Sequence, residues 1–158
     1  MADIVEFGPE HRAWARELLS ASWGSPVVVT RGRLYEADRL PGFVALAEGC
    51  PQGLATYRIE GEECEIVTLD SRAERRGLGS ALLEAVRQAA QAAGCRRLWL
   101  ITTNDNTRAL RFYQRRGLEI AALHRGAIAE SRRLKPGIPE IGEDGIPIRD
   151  EIELELRL

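Results

Sequence analysis

The chain has 158 residues, 44% hydrophobic and 29% charged, with a formal net charge of −2. That length suits one domain, 1–158, with a substantial core, and the balanced charge excludes an electrostatic footprint for nucleic acid or an anionic membrane. No apolar run approaches the ~18 residues of a membrane helix and the N-terminus lacks a signal-peptide core, so the expected location is cytoplasmic.

In chain order, residues 4–7 read as a short strand. A helix follows over residues 9–22, with Pro9 in its first turn and Trp14, Ala15, Leu18 and Leu19 as its apolar stripe. Trp23-Gly24-Ser25-Pro26 breaks it. Residues 27–30 are β-branched and extended, and the polar residues 31–42 form a short helix or a loop. Residues 43–47, 54–59 and 63–69 are strands joined by glycine-containing connections that suit hairpins. A helix over residues 79–93 keeps Leu82, Val86, Ala89 and Ala93 on one side and closes at Gly94. Residues 98–102 form a strand, residues 104–106 offer N-caps, and a helix runs to Arg116 with Gly117 as its stop. A strand over 118–123, a short helix over 128–134 and a proline-rich stretch from Lys135 precede a final alternating strand, 151–158, which has the look of a solvent-facing edge.

The stretch Glu74-Arg-Arg-Gly-Leu-Gly-Ser80, between a strand and a helix, carries the most chemical information. Gly77 and Gly79 remove side chains at the turn, so backbone N–H groups can converge at the start of a helix. The helix adds unpaired amides and about half a positive charge, which together make a cradle for a pyrophosphate. A nucleotide P-loop would need Gly-Lys-Ser/Thr here, and Lys135 is the only lysine. A dinucleotide fingerprint would need a third glycine where Leu82 stands. Cys50, Cys64 and Cys95 are odd in number and lack metal-ligand spacing, so neither a disulfide framework nor a metal site is expected.

From Arg75 onward the sequence resembles the GCN5-related N-acetyltransferase (GNAT) family. Its Q/R-x-x-G-x-G/A signature matches at Arg76, Gly77 and Gly79, with Glu74 where glutamine or arginine is usual. Its second signature, Asn-x-x-Ala-x-x-x-Tyr-x-x-x-Gly, matches Asn106, Ala109, Tyr113 and Gly117 in the family's order and at a similar spacing. The resemblance implies an α/β fold, a central mixed sheet of about six to seven strands with helices on both faces. It implies acetyl-CoA as acyl donor, with no metal. It places the cofactor against Leu69, Arg75, Arg76, Gly77, Leu78, Gly79, Ser80, Asn106 and Ala109. Glu74 beside a pyrophosphate would have to point away or pair with a neighbouring arginine; the backbone cradle does not depend on it.

Acetyl transfer to an amine has two proton problems. A lysine-like amine of pKa ~10.4 must lose a proton before it attacks, and the departing thiolate, of pKa ~8.5, gains from receiving one. Tyr113, a phenol still protonated at neutral pH, is the candidate acid. It lies about two helical turns from Asn106 and so shares nearly one face with it and Ala109. The resemblance implies a glutamate base on the strand before the glycine loop, where Glu63, Glu65 and Asp70 are the local carboxylates. Counting back from the glycines favours Glu63; a bulge would bring Glu65 forward, and alternation puts Glu63, Glu65 and Val67 on one face. Glu65 is preferred.

The expected activity is direct N-acetyl transfer to a primary amine of a small molecule or protein. An acyl-CoA-binding sensor without turnover, and O-acetyl or longer-chain transfer, are the competing readings. The acceptor is left open. Residues 25–35 and 135–150 are the family's usual acceptor regions, the stretch 135–147 serves as a lid or a dimer contact, and a homodimer follows from family habit alone.

Overall fold

The computed structural model describes residues 3–72 and 77–158. The strands are β1 (Asp3–Glu6), β2 (Val27–Thr30), β3 (Arg33–Glu36), β4 (Gly42–Ala47), β5 (Cys50–Glu60), β6 (Glu63–Ser71), β7 (Arg97–Thr103), β8 (Glu119–His124) and β9 (Glu151–Arg157). The α-helices are α1 (Arg12–Trp23), α2 (Leu78–Ala92), α3 (Thr107–Arg115) and α4 (Ile128–Leu134). Seven strands form a mixed sheet in the order β1-β4-β5-β6-β7-β9-β8, and β2 pairs with β3 separately. The chain divides into two compact units: residues through Val28, Tyr35–Leu98 and Leu158 in the first, Val29–Leu34 and Trp99–Arg157 in the second.

In the first unit, β4, β5 and β6 form an antiparallel meander whose turns the glycines dictate. Glu48 and Gly49 both adopt positive φ, 53° and 76°, as a two-residue hairpin turn requires. β5 begins at Cys50, earlier than expected, because Pro51 is accommodated at a bulge: Ala45 pairs with Gly53 and Leu46 with Pro51. A second bulge lies in β6. Thr68 pairs with Thr56 and Ile66 with Tyr57, so Val67 is the extra residue.

Adjacent residues of β5 show how the two faces are covered. Leu54 joins Ala15, Leu18 and Leu19 of α1, with Val28, Ala37 and Val44, in one buried cluster. Gly53 faces the other way, where Leu82 of α2 packs so close that an added Cβ would stand 3.0 Å from its Cδ1. Fully burying each such leucine contributes about 1.5–3 kcal/mol. The buried stripe of α2 is Leu78, Leu82, Val86 and Ala90, with Leu83 beside it. Ala93, expected on that stripe, lies past the helix end and is exposed. Gly24, in the left-handed region at φ 81°, stops α1. Of residues 31–42, 33–36 are a strand and Ala37–Arg39 a single 3-10 turn.

Gly42 shows how tight the meander is: a Cβ there would meet the Ala55 carbonyl oxygen at 2.2 Å. Backbone cannot yield as a side chain does. Gly42→Ala is therefore expected to cost about 1–3 kcal/mol and lower Tm by about 2–4 °C per kcal/mol. Thermal unfolding checks it; an unchanged Tm would mean that β4 and β5 separate freely.

In the second unit, β8 pairs antiparallel with β9 from Glu119↔Glu155 to His124↔Glu151. β9 is not an edge strand: it lies between β7 and β8, and β8 takes the edge. The alternation of glutamate and apolar residues misleads because its glutamates are answered. Glu151 is buried and accepts from the Arg31 guanidinium and backbone N–H, each at 3.3 Å, and Glu153 contacts His124 Nε2 at 2.9 Å.

The stretch from Lys135 to β9 is held by backbone bonds, among them Ile148 N to Glu140 O at 2.9 Å, and by side chains. Arg132 donates to the carbonyl oxygens of Ile138, Pro139 and Ile148. Asn104 accepts from the amides of Arg149 and Asp150 and donates to Pro147 O. Asp105, buried, accepts from the Glu143 amide at 3.2 Å.

Candidate active site

β6 carries the candidate base. The register sets Glu65 opposite Arg58, Thr68 opposite Thr56 and Asp70 opposite Leu54. Directly paired residues share a face, so these side chains line the side covered by α1. The bulge at Val67 keeps Glu63 and Glu65 on the same face as Thr68 and Asp70, which simple alternation would not do. Glu65 is 1% exposed and accepts from Arg58 Nε at 2.9 Å. Arg58 also contacts Glu60, and its guanidinium lies 5.4 Å from the Tyr35 ring centroid. Burial works against the Arg58 charge, but hydrogen bonds to Glu60 and Glu65 outweigh it and raise the pKa. Glu63, at the exposed start of the strand, pairs with Arg97 at 2.8 Å. Thr56 and Thr68 share a 2.6 Å hydroxyl hydrogen bond.

Near the end of the strand, Leu69 and Asp70 are both half-buried. Trp23 Nε1 donates to Asp70 Oδ2 at 2.9 Å. Burial raises the Asp70 pKa, while hydrogen bonds from Trp23 and Ser22 oppose the shift without cancelling it.

Gly77 stands before α2 at φ 70° and ψ 13°. A Cβ built there meets nothing within 4 Å, so backbone conformation rather than space calls for glycine. The Ala81 amide makes the first helical bond among the described residues, to Gly77 O at 3.1 Å. Helix starts are where anions bind. Leu78 sends its side chain into the core, and Gly79 and Ser80 are half-buried. This backbone fits a pyrophosphate. Arg75, Arg76 and the departing Glu74 lie outside the described residues.

In the second unit, Asn106 is the N-cap of α3: its Oδ1 accepts from the Ala109 amide at 3.2 Å. The side-chain oxygen expected to face a ligand arm therefore serves the helix itself. Tyr113 is the one residue of α3 that is fully buried, at 7% exposure. Its ring meets Phe112 edge-on, centroids 5.1 Å apart, and Arg116 covers Phe112 at 3.7 Å.

Cys64 and Cys95 are poor nucleophiles. Cys64 is buried and its thiol pushed up to about 12, by burial first and then by Cys95 and Glu65. Burial also raises Cys95, beside Glu62. Among the described residues no group of His, Cys, Asp and Glu could hold a metal ion. Asp150, an acceptor candidate from sequence, is instead a loop tie: the Gly126 amide at 2.8 Å lowers its pKa, with help from Arg149. Arg58 and Trp23 escaped the sequence reading. Neither has a motif, and Arg58 faces Glu65 only because of the strand register.

The family model for the acetyltransferase (GNAT) family matches residues 9–118. The chain belongs to the GNAT acetyltransferase family. It is 47% identical to the Bacillus subtilis protein YdhI over 137 residues, 86% of either chain. It is 42% identical to YxbD of the same organism over 144 residues, 88% of this chain and 91% of that one. A Bacillus subtilis acetyltransferase crystallised with CoA has the same fold, with a TM-score of 0.78, 22% identity and coverage of 100% and 99%. As in other GNAT proteins, the sheet is mixed and has seven strands here. Among the described residues no helix is long and apolar enough to cross a membrane.

Proposed function

We propose that this GNAT acetyltransferase moves the acetyl group of acetyl-CoA directly to a primary amine of a small molecule or protein. The observation that carries the reading is the Gly77 turn, whose left-handed backbone opens α2. The amides of Leu78, Gly79 and Ser80 hold the pyrophosphate, with Arg75 and Arg76 adding charge. Asn106 fixes the start of α3, and its amide nitrogen and Ala109 are the groups there assigned to the cofactor. Bound acetyl-CoA supplies the activated acyl group.

Tyr113 gives its phenolic proton to the departing sulfur. Glu65 accepts the proton of the amine; it lies on the α1 face of β6, held by Arg58 Nε at 2.9 Å. Glu63 is the less suitable carboxylate because it is exposed and paired with Arg97.

Release of free CoA from acetyl-CoA should depend on the acceptor when amines, polyamines, amino acids, peptides and alcohols are compared with an acceptor-free control. Turnover confined to amines supports the reading. Turnover with alcohols alone overturns the choice of nitrogen. A flat panel with acetyl-CoA binding by calorimetry overturns turnover in favour of a sensor.

A further inference from the structure

Along the α1 face of β5 and β6, polar side chains answer one another across the strands: Arg58 with Glu65, and Thr56 with Thr68. Asp70 breaks the series. Its cross-strand partner is Leu54, an apolar core residue. Its polar contacts come from the last turn of α1, where Ser22 and Trp23 donate to it. None of these groups carries a charge. Arg72, two residues on, is exposed and bonded through its backbone to Gln52 O at 2.8 Å.

Among the described residues this half-buried carboxylate has no counter-ion, and such a group is costly to keep ionised. Holding the Trp23 N–H requires only a neutral oxygen, which asparagine would supply at no such cost. Trp23 itself is 38% exposed, a large indole left at the surface beside the carboxylate. An anion with an aromatic plate at its side matches a cation carrying an apolar arm. The pair also sits near the end of β6.

We propose that Asp70 and Trp23 form the acceptor-recognition site, with the Asp70 carboxylate taking the acceptor's ammonium group and the indole its hydrocarbon arm. The inference rests on the acetyltransferase reading for its meaning as an acceptor site. It narrows the substrate to cationic amines carrying an alkyl or aryl arm, and it sets the enzyme against alcohols.

The test follows the indole N–H of Trp23 by nitrogen–proton NMR, with the cross-peak assigned through Trp23→Phe. Butylammonium chloride should shift that peak saturably; 1-butanol, and sodium chloride at equal ionic strength, should not. Asp70→Asn keeps an oxygen for the indole, so the peak should remain while the butylammonium response disappears. The same variant should hold or gain Tm at pH 7, because an uncompensated charge has gone. With a cationic acceptor, Asp70→Asn should weaken kcat/KM by about ten- to hundredfold, mostly through KM. A response to butanol equal to that for butylammonium, a response that survives Asp70→Asn, or a lowered Tm would each overturn the proposal. Acetyl-CoA calorimetry on the same samples separates the two failures: lost cofactor binding sinks the acetyltransferase reading, whereas a missing amine response with cofactor bound sinks the recognition site alone.

Discussion

Replacing Tyr113 by phenylalanine should lower kcat by about 10²–10⁴-fold, the usual range for a lost general acid, with acetyl-CoA affinity nearly unchanged. The substitution removes one oxygen and keeps the ring, so the edge-on contact with Phe112 and the burial on α3 persist. A fall in kcat at constant calorimetric Kd is the signature of an interaction made only in the transition state. Equal turnover in the variant would remove Tyr113 from the mechanism. A matching loss of cofactor affinity would make it a binding residue.

The largest effect on stability should come from Arg58→Met. Glu65 is 1% exposed and Arg58 holds one of its oxygens at 2.9 Å. Removing one partner of a buried ion pair strands the other's charge, at a cost of about 3–5 kcal/mol. Urea unfolding would show this as a lower midpoint with an unchanged slope. Adding Glu65→Gln should recover much of the loss, because no charge is then left behind. If the single variant loses under about 1 kcal/mol, the surface-pair range, Glu65 has found other compensation.

Asp70 has the opposite sign. Its pKa lies above the ordinary carboxylate value in the folded chain, so the folded state binds the proton more tightly than the unfolded one. Asp70 therefore favours folding below its unfolded pKa and loses that contribution as pH rises through the folded value. Its replacement by asparagine gains most at neutral pH.

The sequence was most legible where chain geometry is local. Periodicity found α1, α2, α3 and α4 because each buries a stripe or ends at a residue with a steric reason, as Gly24 does for α1. The two family signatures located Gly77, Asn106 and Tyr113. What escaped was set by pairing between distant segments. The β6 bulge depends on where Thr56 and Tyr57 meet their partners, and it decides which face the residues beyond Val67 occupy. β9 looked like an edge because glutamates alternate along it; its neighbours β7 and β8 come from elsewhere in the chain, and so does Arg31. Asn106 was found both as a cap candidate and as a ligand contact, and local helix chemistry engages its oxygen.

The stretch between α4 and β9 has a consequence for energetics. Beside its own backbone bonds, three side chains, Asn104, Asp105 and Arg132, bind its backbone from neighbouring elements. Fixing a backbone costs about 1–2 kcal/mol per residue in conformational entropy, and here that loss falls within folding itself. A molecule that docks against this stretch meets a finished surface, so its affinity is not diminished by the ordering of a loose loop. The same arrangement concentrates risk. Arg132 binds both arms of the stretch, so a change at this residue, which belongs to no signature, would remove three of its side-chain ties at once.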